Sequence, residues 1–148
     1  MQRLYPQRPF VGVGVVVLKE DEMILVKRGN EPGKGKWSIP GGLVELGESL
    51  EQTVKREAEE ETGMIVENLR LLDAVDNVVL DEEGRVKYHF VIVDYLVRPK
   101  AGTARAGSDA EELKWVKLDD VEKHQLTDTF RRFFSRNREK LREQASCP

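Results

Sequence analysis

A single cysteine, Cys147, stands in 148 residues, next to the C-terminus. No internal disulfide is possible, which fits a reducing compartment, and a cytoplasmic location is expected. Long apolar runs are also missing. The run from Val11 to Leu18 is eight residues long, with glycines at 12 and 14. A helix that crosses a bilayer needs about 20 apolar residues, and no small-residue cleavage pattern follows the run. No membrane association is expected. Nor is there an excess of basic charge: the formal net charge is −3, so no specific nucleic-acid partner is expected. Repeats, linkers and low-complexity segments are absent. The length suits one domain, residues 1–148, with room for a core.

What the chain does have is acid, concentrated in one place. Of 27 acidic and 24 basic residues, seven and two lie between Gly42 and Met64, leaving 20 against 22 elsewhere. The acids are Glu45, Glu48, Glu51, Glu57, Glu59, Glu60 and Glu61, and the bases are Lys55 and Arg56. The negative charge of the protein is largely the charge of this segment, and something cationic should sit there.

The residues around the segment divide into elements. Val11 to Lys19 is β-branched with apolar side chains on both faces, as in a central strand. Met23 to Lys27 returns beside it after the turn Glu20-Asp21-Glu22. Gly29 to Lys36 is a loop by composition, and Trp37 to Pro40 is a short extended piece because a proline biases the residue before it away from helix. Ser49 and Gln52 form a capping box, and the helix they start ends at Thr62-Gly63, with Gly63 as a left-handed cap. Leu69 to Leu80 and Lys87 to Val97 are strands around the turn Asp81 to Gly84. Arg98 to Ala110 reads as a flexible loop, Glu112 to Leu118 as a strand, and Leu118 to Glu122 as a short helical turn. Thr127 to about Glu143 is an amphipathic helix with Phe130, Phe133, Phe134 and Leu141 at helical spacing. This order predicts an α/β fold, a sandwich on a mixed sheet.

On a helical wheel with Leu50 at zero, Val54 and Ala58 fall at roughly 40° and 80° and mark the buried face. Glu57 and Glu61 fall within roughly 20° of Leu50, and Glu60 lies on the flank at roughly −80°. Glu51 and Glu59 point away and suit ordinary surface pairs. Carboxylates held together on a buried face raise one another's pKa values unless a cation joins them. Arg56 can compensate one. The rest call for a divalent ion, and an all-oxygen donor set suits Mg²⁺ or Mn²⁺. Such an ion, keeping several waters, is the usual partner of phosphate oxygens.

Gly42, five residues, Glu48, seven residues, Arg56-Glu57-Ala58, one residue, Glu60-Glu61, one residue, Gly63-Met64: this spacing resembles a complete Nudix box, with every specified position filled. The flanks, from Lys27-Arg28 and Trp37-Ser-Ile-Pro-Gly-Gly42 to Lys114-Trp115-Val116, resemble the family too. The resemblance implies a Nudix fold, an α/β/α sandwich, and hydrolysis of a nucleoside diphosphate linked to another group. It implies that Glu57, Glu60 and Glu61, with a backbone carbonyl at Gly41, bind the metal. Glu48 and Arg56 are implied to brace the box, with Gly42 and Gly63 fixing its ends. The catalytic base is implied to be Glu60 or a residue of the later loop, Asp109, Glu111 or Glu112.

For substrate, the resemblance leaves ADP-ribose-type sugar nucleotides and nucleoside triphosphates, including oxidised ones, nearly level. A proline about sixteen residues after the box goes with ADP-ribose hydrolases in the family, and this chain has none between Pro40 and Pro99. A binding domain without catalysis is the rival of another class, but such domains lose box carboxylates and none is missing here. An isoprenoid diphosphate isomerase needs an active-site cysteine, for which Cys147 is badly placed. Arg28 matches a position that contacts substrate phosphate, and Trp37 and Trp115 can stack on a base or pack in the core. Lys34 and Lys36 are solvated lysines or phosphate contacts. His89 and Asp94 interrupt an apolar strand, as members of a satisfied buried network or as pocket lining. The arginines and lysine between 131 and 142 read as a surface face, a homodimer contact or a weak RNA-binding face.

Overall fold

A computed structural model describes residues 3–146. Seven strands run in chain order as β1 (Phe10–Lys19), β2 (Glu22–Arg28), β3 (Trp37–Ser38), β4 (Gly41–Leu43), β5 (Met64–Leu80), β6 (Val86–Gly102) and β7 (Ala110–Lys117). Helix α1 (Leu50–Thr62) follows β4, and a 3₁₀ turn (Leu118–Lys123) leads towards α2 (Asp128–Ala145). The strands form a mixed sheet in the order β3-β2-β1-β6-β5, with β4 added to β1 and β7 to β2. β1 and β6 pair in parallel from Phe10↔Phe90 to Val17↔Val97.

The alternation of β1 sorts the core into two layers, because successive strand side chains point to opposite faces. Val13, Val15 and Val17 pack with Val54 and Ala58 of α1. Val16 and Leu18 pack with Phe130, Phe133, Phe134 and Leu141 of α2. The helices therefore cover opposite faces, and the expected α/β/α sandwich is what forms. Each fully buried phenylalanine or leucine of these layers contributes about 1.5–3 kcal/mol. Both helices start on side-chain caps: the Ser49 hydroxyl accepts from Gln52 N, and Thr127 accepts from Phe130 N. Gly63 closes α1 at φ 74°, a conformation glycine adopts without strain.

The strands differ from expectation at three places. β5 begins at Met64 rather than Leu69, and β6 runs on to Gly102, because Met64 to Glu67 pair with Arg98 to Gly102 across register shifts. The flexible loop thus shrinks to residues 103–109. Pro99 falls at one of those irregularities, where a missing N–H is tolerated. The third is β4, whose three residues carry no strand pattern of their own and are fixed by pairing with Gly12 to Gly14. Cys147 lies outside the described residues. Among the described residues no helix is long and apolar enough to cross a membrane.

Candidate active site

The loop after β4 turns directly into α1, and Arg56 binds the two together. Its guanidinium donates to Glu48 (Nε to Oε2, 2.7 Å; Nη2 to Oε1, 2.9 Å) and to the Leu43 carbonyl at 3.0 Å. Glu48 also accepts from the Glu45 amide and the Thr53 hydroxyl. With so many donors, Arg56 first among them, the Glu48 carboxyl is held down at about 2. Bidentate arginine–carboxylate pairing fixes geometry as well as charge. The remaining guanidinium nitrogen reaches Glu57 at 2.6 Å and Glu60 at 3.2 Å.

Glu57 and Glu61 are the two acids that α1 turns inward, each 8% exposed, on the side where the wheel puts them. Their carboxyls line a cavity of about 520 Å³. Burial pushes both pKa values up; that of Glu61, with Asp109 and Glu57 adding to it and Arg28 opposing, reaches about 7. The Glu57 carboxylate lies over Gly42 so closely that a Cβ there would sit 2.3 Å from it. Any side chain at Gly42 would displace Glu57.

Two backbone features bring in the partner loop. Gly107 N donates to Glu61 O and Arg105 N to Thr62 O, so the 103–109 segment satisfies carbonyls at the end of α1. Such carbonyls otherwise lack partners. Asp109, next along, has its carbonyl held by Gly29 N and its carboxylate 3.4 Å from Asn30 Nδ2. It lines the cavity beside Glu61. Arg28 enters from the end of β2, its Nε donating to the Pro32 carbonyl at 2.7 Å and its pKa lowered by burial.

Several expected site residues stand elsewhere. Glu60 projects to solvent, its side chain 59% exposed and tied to Arg56. Accordingly, among the described residues no three acidic, histidine or cysteine side chains converge as they stand into a set that could hold a metal ion. Glu112 is exposed on β7, opposite Lys27, and does not line the cavity. Its strand turns Leu113 and Trp115 into the core instead, so of the three loop acids only Asp109 reaches the cavity. Trp37 also stands away from the cavity. It is 9% exposed and packs in the α2 layer, edge-on to His124 and with Lys114 Nζ 4.5 Å from its ring centre; it does not line the cavity. Trp115 packs in the α1 layer. Lys36 lines the cavity and Lys34 is exposed outside it. His89 is half-buried opposite Val78, outside the cavity. Asp94 is buried and lines it, but not as part of a satisfied network: its Oδ2 has no hydrogen-bond partner among the described residues. Arg131, Arg132, Arg136, Arg138, Lys140 and Arg142 lie on α2. Of these, Arg136, Arg138 and Arg142 pair with Asp73, Glu122 and Asp119 respectively, which makes that face a surface ion-pair network.

The other end of the cavity, which Asn77 and Asp94 also line, is mostly apolar. Val75 and Val79 of β5, Phe90 and Ile92 of β6, Ile39, and Phe130 and Phe133 of α2 surround it. One cavity therefore runs from a charged pole of Glu57, Glu61, Asp109 and Arg28 to a slot that suits an aromatic ring.

The family model described as NUDIX domain matches residues 8–136. An ADP-ribose pyrophosphatase of Methanocaldococcus jannaschii is 36% identical over 121 residues, 82% of this chain and 69% of that protein. An 8-oxo-dGDP phosphatase of Mus musculus is 28% identical over 102 residues, 69% of this chain but 29% of that protein. Among solved structures, a MutT NUDIX hydrolase from Burkholderia pseudomallei superposes with a TM-score of 0.76 at 34% identity, over 87% of this chain and 98% of that one. The NUDIX domain of Shewanella oneidensis NrtR, complexed with ADP ribose, superposes with a TM-score of 0.74 at 27% identity, over 91% and 90%. This chain belongs to the Nudix hydrolases, enzymes that cleave pyrophosphate bonds.

Proposed function

We propose that this protein, acting as one cytoplasmic domain over residues 1–148, hydrolyses ADP-ribose-type sugar nucleotides with the help of a divalent cation, Mg²⁺ or Mn²⁺. The observation that carries this reading is the buried pair Glu57 and Glu61 at one end of a cavity whose other end is an apolar slot. The carboxylates suit a metal-bridged diphosphate and the slot suits a base. The similarity to an ADP-ribose pyrophosphatase supports the same substrate class.

The donor set fits a hard cation. It is all oxygen, and two of its carboxyls are buried with raised pKa values that an ion would relieve. Glu57 and Glu61 with the Gly41 carbonyl, joined by Glu60 once it turns in from solvent and Arg56, would hold the ion, which when bound neutralises diphosphate charge and lowers the pKa of a coordinated water. The chain's own part is to position and to accept a proton. Arg28 lies where it can take a phosphate oxygen. Arg56 and Glu48 hold the loop and helix in register. As water adds to one phosphorus, the bridging P–O bond breaks, and AMP and ribose 5-phosphate leave. The proton of the attacking water passes to a carboxylate, for which Asp109, inside the cavity, is better placed than Glu60 or Glu112.

Purified protein with Mg²⁺ should release AMP from ADP-ribose faster than it hydrolyses a panel of nucleoside triphosphates and dinucleoside polyphosphates. Preference for a triphosphate, including an oxidised one, would move the assignment to the second substrate class; the similarity to an 8-oxo-dGDP phosphatase points to an oxidised nucleotide, in that protein a diphosphate. Nucleotide binding with no turnover on any of them would leave a binding domain.

A further inference from the structure

Asp94 has no work in the reaction just described, and it is costly to keep. It is 2% exposed, on the central strand β6, and its Oδ2 has no hydrogen-bond partner among the described residues. A buried carboxylate oxygen without a partner costs free energy that natural structures rarely tolerate without a reason. The cation whose charge acts on Asp94, Arg136, is already taken. Arg136 donates to Asp73 at 2.8 Å, as does Asn137. Asp73 faces Asp94 across the β5–β6 pair, so it repels rather than relieves it.

The surroundings of Asp94 are shaped as a slot. Gly12 and Gly14 of β1 lie beside Ile92 and Asp94 of β6 in the parallel ladder. They belong to the parity that points towards α2, the parity of Val16 and Leu18. Gly14 is needed there: a Cβ would lie 2.2 Å from Asp94 Oδ1 and 2.8 Å from Ile39 Cδ1. A Cβ on Gly12 would meet the Gly42 carbonyl at 3.1 Å and Ile92 Cδ1 at 3.4 Å. Two strand positions are thus stripped of side chains, and the space is walled by flat or branched apolar groups, Phe90, Val75 and Phe133. Such a floor accepts the face of a ring. A sugar, with hydroxyls on every side, would leave most of its hydrogen bonds unmade in it.

We propose that Asp94 is a specificity-determining residue that hydrogen-bonds the amidine edge of the substrate's nucleobase, an exocyclic amino group beside a ring nitrogen. This rests on the nucleotide-hydrolase reading and deepens it. A carboxylate takes two donors from guanine N1–H and the 2-amino group. A protonated carboxyl accepts from the adenine 6-amino group and donates to N1. Hypoxanthine has no amino group to offer. Burial and Asp73 raise the Asp94 pKa to about 7, so both forms are within reach near neutrality.

The test is equilibrium binding of AMP, GMP and IMP to the full chain, by calorimetry, with kcat and KM measured in parallel. Wild type should bind AMP or GMP about 10- to 100-fold more tightly than IMP, the range of one or two hydrogen bonds to a charged group. Asp94→Val should abolish that ratio, raising KM for the preferred substrate with kcat changed less than threefold. Asp94→Asn separates the two bases, because an amide matches adenine N1 and the 6-amino group but not the two donors of guanine. Retained preference in Asp94→Asn with loss in Asp94→Val assigns adenine; loss in both assigns guanine. An unchanged ratio in a folded Asp94→Val variant, with turnover intact, overturns the role of Asp94 and leaves the hydrolase reading standing. Absence of nucleotide binding and turnover in wild type overturns both.

Discussion

Replacing Asp94 by asparagine should stabilise the protein at neutral pH and do so progressively less as the pH is lowered. In the unfolded chain this carboxyl ionises near 3.8; in the fold, burial and then the charge of Asp73 raise it to about 7. Below about pH 4 both states carry the proton, and ionisation adds nothing to the difference between them. Between about 4 and 7 the unfolded chain releases a proton that the folded chain retains, so stability falls as pH rises. Above about 7 the loss is complete. Moving a carboxyl from 3.8 to about 7 corresponds to an upper bound of ~4 kcal/mol, or roughly 10 °C in Tm for a chain of this size. Asparagine is neutral throughout, so it escapes the loss. Its amide still lacks a partner, a cost that does not vary with pH. The quantity to read is therefore the Tm of Asp94→Asn minus that of wild type, by calorimetry at pH 4, 5, 6, 7 and 8. The difference should grow by several degrees across the series and level off at the top. A difference that is flat with pH, or that shrinks as pH rises, would refute the account of an ionisable group buried without a partner.

Gly42→Ala should leave the fold intact by circular dichroism but lower kcat by about 10- to 100-fold, since its Cβ must displace the Glu57 carboxylate and small misplacements cost that much. Arg56→Lys loses the two-pronged grip on Glu48 and should cost about 2 kcal/mol or more in urea melts; wild-type stability would show the bracing to be dispensable. Asp109→Asn should lower kcat at least about 100-fold while Glu112→Gln stays within about twofold, and the opposite pattern would return the role to Glu112. Chelation with EDTA should reduce turnover to background, with recovery on adding Mg²⁺; a rate that survives chelation removes the divalent cation from the reaction.

The box was legible because its signals are local. Ser49 and Gln52 cap the helix start, Gly63 ends it, and the 3.6-residue period alone turns Glu57 and Glu61 inward and Glu51 and Glu59 out. The two-layer sandwich was legible for the same reason, from the apolar faces of β1 and α2. What was not legible depends on long-range pairing. No residue in Gly41 to Leu43 announces a strand; Gly12 to Gly14 make it one. Arg98 to Gly102 looks like loop until Met64 to Glu67 lie beside it. The side chain of Glu60 shows the same limit at finer scale, since whether it faces the cavity or solvent is decided by Arg56. Whether Trp37 stacks or packs, and which loop acid reaches the cavity, stay open in the sequence because both Trp37 and Glu112 sit on short or irregularly paired strands, where composition does not say which face is the core. Asp94 carried a usable signal, an acid inside Phe-Val-Ile-Val-Asp-Tyr-Leu-Val, but only its empty surroundings separate a pocket residue from a satisfied one.

The end of α1 is completed by residues more than 40 positions later, through the amides of Arg105 and Gly107. That has a consequence for the order of folding. The helix can begin on its own capping box, but its last turn, which carries Glu60 and Glu61, has open carbonyls until β5 and β6 have paired and delivered the loop behind them. Contacts of such sequence separation form late because closing the intervening chain costs entropy first. An excised peptide of residues 42–64 would therefore fray at the end that carries those acids. In the intact chain, amides near Glu61 and Gly107 should exchange with solvent in one cooperative opening.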